Sequence, residues 1–283
     1  MTKLSLIWFH NFISRYLKYY QVSELDEYTR SIEMCDFSAV NVFFVSSVPD
    51  AHKGAELNRW GHRQVASILR ANVPTPAEPA SCPLLAQCSS IGSMGPTADT
   101  WLTGEFGRSL SACKSKHGLP TAGAGRSGPM YVVYPSKRDV FRSHDGVFGG
   151  GCLPYAGKTA AKQPWLEPML RRWRSAARQR DRAMPHIKTY ARTNREGTRA
   201  AYFMLTSANL SKPAWGSLNK AGDSFQVQSY EAGVLALPQF TVGKNFFELG
   251  KELRLPYDLP LEKYEEDDTV WLYDYLREAA ATF

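Results

Sequence analysis

Apolar residues recur on a helical period over residues 4–20 and 57–69, which predicts two helices. Asn41-Val42-Phe43-Phe44-Val45-Ser46 is a short apolar run closed by the Pro49-Asp50 turn, so it predicts a buried strand. Residues 84–89 and 131–134 predict two more, the first opening into Ser90-Ile91-Gly92-Ser93-Met94-Gly95. Residues 100–113 and 162–180 read as helices, with Pro164 and Pro168 confined to the first turns of the latter. Residues 187–192 and 201–206 pattern as two strands around a polar turn, and residues 226–237 as one long strand containing Gly233. Residues 72–83 hold four prolines and form a loop, and Gly149-Gly150-Gly151 marks a turn. Residues 114–128 are poor in apolar side chains and predict a mobile surface loop; residues 262–268 predict an exposed acidic stretch. Strands alternate with helices, and neither a repeat nor a linker divides residues 1–283. The pattern is that of one α/β sandwich around a mixed sheet.

Composition narrows the classes. A hydrophobic fraction of 43%, with 12% aromatics, fills a real core in 283 residues and excludes wholesale disorder. No run approaches the roughly 18 apolar residues of a membrane helix. The apolar opening at residues 4–9 is too short for a secretory segment, is followed by His10, Asn11 and Arg15, and lacks a small-residue cleavage site. Five widely spaced cysteines without a C-x-x-C predict free thiols rather than a disulfide scaffold or a zinc site. The net charge of +7 is concentrated: residues 171–200 hold ten basic and two acidic residues, against 24 and 25 elsewhere. Nine of those ten are Arg, the side chain suited to bidentate phosphate contact, so the window predicts a local polyanion contact.

The candidate chemistry starts at His186-Ile187-Lys188, at the head of a strand. A spacing of two places both cations on one face and points Ile187 into the core. Alone, H-x-K is a short pattern with many chance matches. The next strand ends in Thr206-Ser207-Ala208-Asn209-Leu210-Ser211, a small polar turn that offers hydroxyl and amide donors at a sheet edge. Ser229-Tyr230-Glu231-Ala232-Gly233-Val234 places one acid in an apolar strand, where it needs a partner.

Taken together these segments resemble the tyrosyl-DNA phosphodiesterase family of the phospholipase D superfamily. The resemblance is carried by residues 184–190, 206–216, 229–234 and 87–93, and more weakly by 58–62, 150–155 and 256–260. It implies a phospholipase D-like α-β-α sandwich with a mixed central sheet, one of two pseudo-twofold halves. It implies a phosphoric diester hydrolase acting on 3′-phosphotyrosyl and other blocked DNA 3′ ends in nuclear repair, with a topoisomerase-derived tyrosyl peptide as leaving group. His186 resembles the general acid that protonates the leaving group and later activates water. Lys188 and Asn209, the latter standing where the wider superfamily has Asp, resemble the groups that hold the non-bridging phosphate oxygens, with no metal or other cofactor. Ser89 and Ser90 resemble the donors that grip the next DNA phosphate, with Ser93, Ser207 and Pro154 placed on the substrate side. Glu231 resembles the acid that orients the other catalytic histidine.

That other histidine is the family's nucleophile, which forms a phosphohistidine intermediate and belongs to a first H-x-K half. His10, His52, His62, His117 and His144 each lack a Lys two residues on. The chain therefore reads as the second half, expected to be weakly active or inactive alone and to expose an apolar face toward a missing half or a second subunit. Two other readings stand beside this one: a non-catalytic DNA-binding fragment, and a single-motif phospholipase D-type homodimer. A lipid-cleaving activity is disfavoured by Asn209, by the serine loop, and by the lack of an amphipathic membrane segment.

Overall fold

The computed structural model describes residues 3–114 and 128–281. Among them, eleven strands form two sheets. The larger contains β1 (Val42–Ser47), β3 (Leu84–Gln87), β4 (Met130–Val133), β5 (Leu170–Arg171), β6 (Lys188–Thr193), β7 (Arg199–Thr206) and β10 (Glu231–Ala236). Their spatial order is β1-β10-β7-β6-β3-β4-β5, with β11 (Phe247–Glu248) paired to the start of β7. β3, β4 and β5 are mutually parallel and the other pairs antiparallel, so the sheet is mixed. β2 (Asp50–Lys53), β8 (Ser217–Leu218) and β9 (Ser224–Val227) make a small second sheet.

Consecutive residues of the large sheet enter different cores, as a period of two requires. Leu84, Val132 and Tyr190 pack with Trp101, Phe106 and Met204 on one face. Their neighbours Leu85, Val133 and Ala191 pack with Trp173, Leu255 and Tyr257 on the other. Likewise Phe43 joins the first core, while Phe44 joins Tyr16 and Trp60 in a third. Helix α1 (Lys3–Lys18) covers that third core, α2 (Asp26–Glu33) packs on α1, and α3 (Gly61–Asn72) lies across the first. α3 buries Val65, Ile68 and Leu69 at helical spacing. It starts at Gly61, with φ +57°, where a Cβ would stand 2.1 Å from the Trp215 carbonyl oxygen. Helix, sheet and opposing cover make the expected three layers, and no described helix is long and apolar enough to cross a membrane.

Four expectations fail, each for a tertiary reason. Residues 162–180 are not a helix: a 3₁₀ segment (Pro164–Met169) leads into β5, whose Leu170 and Arg171 pair with Val132 and Val133. Leu166 and Leu170 enter one core and Trp173 the opposite one, which a single helical stripe cannot do. The helix over residues 100–113 is broken into a π segment (Leu102–Phe106) and one helical turn (Gly107–Leu110). Residues 226–237 split between the two sheets, because the Gln228 and Ser229 amides leave the ladder to bond the Pro213 carbonyl. The basic window is no polyanion surface of ten free cations. Arg172 pairs with Asp139 and Glu265 and Arg174 with Glu262, so the acidic stretch 262–268 neutralises part of the window. Arg178 and Arg182 donate to the Leu255 and Arg142 carbonyls, Arg192 is buried against Ser111, and Arg199 stacks on Phe246. The loop expected over residues 114–128 falls almost wholly outside the described residues.

Candidate functional site

Strand register gathers the candidate residues at one edge of the large sheet. Gln87 ends β3 opposite Thr189, Lys188 begins β6 opposite Thr206, Thr206 ends β7 opposite Gly233, and Glu231 begins β10 opposite Ser47. Two loops leave this edge, residues 88–93 and 207–211, and clamp each other. The Gly92 amide donates to the Leu210 carbonyl at 3.0 Å, and the Leu210 amide to the Ser90 carbonyl at 3.3 Å. The approach is close enough that a Cβ on Gly92 would stand 2.6 Å from the Ser211 Cβ. From beneath, the buried Tyr190 hydroxyl donates to the Ala208 carbonyl (2.9 Å) and accepts from the Trp215 indole (3.1 Å).

Asn209 is fixed by this clamp. Its Oδ1 accepts from the Ser89 amide (3.0 Å), the Ser90 amide (2.9 Å) and the Ser89 hydroxyl (3.2 Å). Three donors converging on one carboxamide oxygen define its orientation, so the Nδ2 amino group is the end turned to other acceptors. The same bonds occupy Ser89, which is buried, while the Ser90 hydroxyl donates to the Pro154 carbonyl at 2.8 Å. Ser93 and Pro154 are exposed on the rim.

His186 is exposed just before β6. Lys188 is 5% exposed, and its ammonium turns back to donate to the His186 carbonyl. Burial pushes the Lys188 pKa down, while Glu231 works in the opposite direction. Burial pushes the Glu231 pKa up, opposed by the Ser207 hydroxyl and by Lys188. Ser207 donates to the Glu231 carboxylate and accepts from the Ala232 amide at 3.0 Å, tying the end of β7 to the start of β10. Cys88 lies beneath the edge with its thiol pushed up to about 12 by burial, so it stays protonated and is no nucleophile.

Ile187 does not point into the core: it is 42% exposed. β6 begins only at Lys188, which takes the side facing the first core, and Ile187 lies beyond the cover of the second. Leu205, opposite Thr189 in β6, is also open (45%), whereas Tyr230 (37%) has its ring stacked on Tyr20 at 4.0 Å. Of the other histidines, His62 is wholly buried between Ser109 (2.8 Å) and Glu105 (3.2 Å), with its pKa pushed down by burial, and it braces α3. One contributor was not singled out by the sequence reasoning. Buried Gln87 donates from Nε2 to the Ile187 carbonyl at 2.6 Å and accepts from the Thr189 hydroxyl at 3.3 Å. Its side chain extends the β3–β6 ladder one step past the backbone, holding the H-x-K segment to the sheet. A polar residue in the fully buried strand Leu84–Gln87 was the available signal.

A mixed sheet covered on both faces, with H-x-K and a carboxamide turn at one edge, is a phospholipase D-like fold. The sequence profile of tyrosyl-DNA phosphodiesterases matches residues 3–265, and the chain belongs to that family. It is 43% identical over 284 residues to the tyrosyl-DNA phosphodiesterase 1 of Drosophila melanogaster, covering 96% of this chain and 48% of the relative. It is 33% identical to a probable tyrosyl-DNA phosphodiesterase of Caenorhabditis elegans, covering 94% and 56%. The crystal structure of the yeast tyrosyl-DNA phosphodiesterase superposes with a TM-score of 0.68 at 20% identity, covering 94% of this chain and 64% of that one. The chain thus spans about half the length of the curated relatives it matches.

Proposed function

We propose that this chain carries one H-x-K half-site of a phosphodiesterase that frees DNA 3′ ends from a tyrosyl adduct in the nucleus, and that a second imidazole from outside the described residues completes it. In the first step the incoming imidazole forms a P–N bond as the P–O bond to the tyrosyl oxygen breaks, and protonated His186 gives its proton to that oxygen. In the second, neutral His186 takes a proton from water, the water oxygen bonds phosphorus, the P–N bond breaks, and the DNA 3′-phosphate leaves. Lys188 and the Asn209 amino group stabilise the charge that grows on the non-bridging oxygens. Glu231, beyond its bond to Ser207, orients the incoming imidazole. Ser90, Ser93 and Pro154 border the DNA strand.

The observation that carries this reading is the Asn209 carboxamide: its oxygen is locked by three donors, so its amino group is preorganised at the edge that holds His186 and the Lys188 ammonium. The open apolar side chains of Ile187 and Leu205 support completion by another body. The test is single-turnover cleavage of a 3′-phosphotyrosyl oligonucleotide, with the chain alone and with a fragment bearing a second H-x-K. The chain alone is expected to stay near background and the pair to cleave, with His186→Ala lowering the rate by about 10²–10⁴-fold. Full turnover by the chain alone overturns the need for a second imidazole; no cleavage by the pair overturns the reading.

A further inference from the structure

Arg171 and Arg172 are neighbours buried to the same degree, 8% and 7% exposed. Arg172 is neutralised by Asp139 and Glu265, each at 2.6 Å. Arg171 has no carboxylate within ion-pairing distance among the described residues. Its Nη1 donates to the Pro168 and Leu170 carbonyls at 3.0 and 2.7 Å, and its guanidinium lies 4.2 Å above the Tyr131 ring. Carbonyls and a ring face compensate a buried cation only in part, since neither brings a counter-charge.

Arg171 lines a groove of about 260 Å³. The groove lies at the end of β6 opposite the H-x-K edge, about 17 Å away at the usual rise of a strand. Arg195 and Lys263 stand on its rim, both exposed and neither in an ion pair among the described residues. One carboxylate, Glu196, also lines it, with one oxygen taken by the Asn194 amide at 2.7 Å. The floor is apolar, with Leu85 and Leu259. Three cations against one acid, one of them buried without a counter-ion, beside a surface that would accept a flat apolar group, match one ligand chemistry. We propose that this groove is a second, non-catalytic site that binds a nucleoside phosphate, with the phosphate on Arg171, Arg195 and Lys263 and the base over the apolar floor. The ligand is either a free nucleotide or one unit of a nucleic-acid strand. This proposal does not depend on the phosphodiesterase reading.

The test is calorimetric titration of the whole chain with dTMP, thymidine and a Glu-rich peptide, and fluorescence-polarisation titration with labelled oligo(dT), all in a Lys188→Met background that removes the ammonium assigned to the phosphate at the H-x-K edge. Arg195→Ala/Lys263→Ala alters only exposed side chains that make no hydrogen bond or ion pair among the described residues, so folding is expected to be unchanged. The proposal expects dTMP to bind and thymidine not to, and the double variant to weaken dTMP at least tenfold. For oligo(dT), the salt dependence should fall by about 1–2 units of slope if a strand is the source, and stay unchanged if the free nucleotide is. It is overturned if dTMP fails to bind, if the double variant binds dTMP as the parent does, or if the Glu-rich peptide binds more tightly than dTMP.

Discussion

Lys188, at the start of β6, and Arg172, just past β5, are both cations taken out of water, and their surroundings separate structure from chemistry. At Arg172 two carboxylates arrive from distant chain positions, 139 and 265, and the Asp139 bond raises the guanidinium pKa. At Lys188 no carboxylate lies within ion-pairing distance among the described residues; the ammonium has the His186 carbonyl, and burial lowers its pKa. A buried charge with matched partners is a brace. A buried charge left short of them can take an anion from solution, and the geometry pays in stability for that readiness.

Four substitutions sharpen or break this contrast. The largest effect is expected at Arg172→Met, which leaves Asp139 buried and unpaired and should cost about 3–5 kcal/mol in urea unfolding. Lys188→Met should leave stability equal or higher while removing orthovanadate binding from the H-x-K edge. Equal losses of stability in both variants would dissolve the distinction. Next comes Gln87→Leu, which strips the Ile187 carbonyl of its donor in a buried position. A loss of about 1–3 kcal/mol is expected, with faster hydrogen exchange at the Lys188 and Thr189 amides. Unchanged exchange there would show that the backbone ladder alone holds the motif.

The smallest effect concerns Glu231. Its folded-state pKa is raised above the usual 4.5, so ionisation is penalised in the fold. That penalty is absent below the unfolded pKa and appears as pH rises through the folded one. Glu231→Gln, which keeps an acceptor for Ser207, should therefore raise Tm at pH 7, with the gain vanishing below about pH 4. A gain that persists at low pH would assign the effect to packing rather than to charge.

The sequence by itself determined the local chemistry and much of the sheet. Short apolar and aromatic runs marked β1, β4, β6 and β7: the first three are covered on both faces and bury consecutive side chains, while β7 buries alternate ones. The H-x-K, the Asn209 turn and the serine loop were legible as motifs, since each is contiguous in the chain. Tertiary structure alone decided which charges are spent. Nothing local to residues 171–200 announces that Arg172 meets Asp139 and Glu265 while Arg171 meets none, or that Ser89 and Ser90 turn their donors inward to Asn209. Periodicity tells which face of an element a side chain occupies. It carries no information on what a segment 90 or 120 positions away brings to that face, and that encounter fixes whether a charge braces the fold or waits for a ligand.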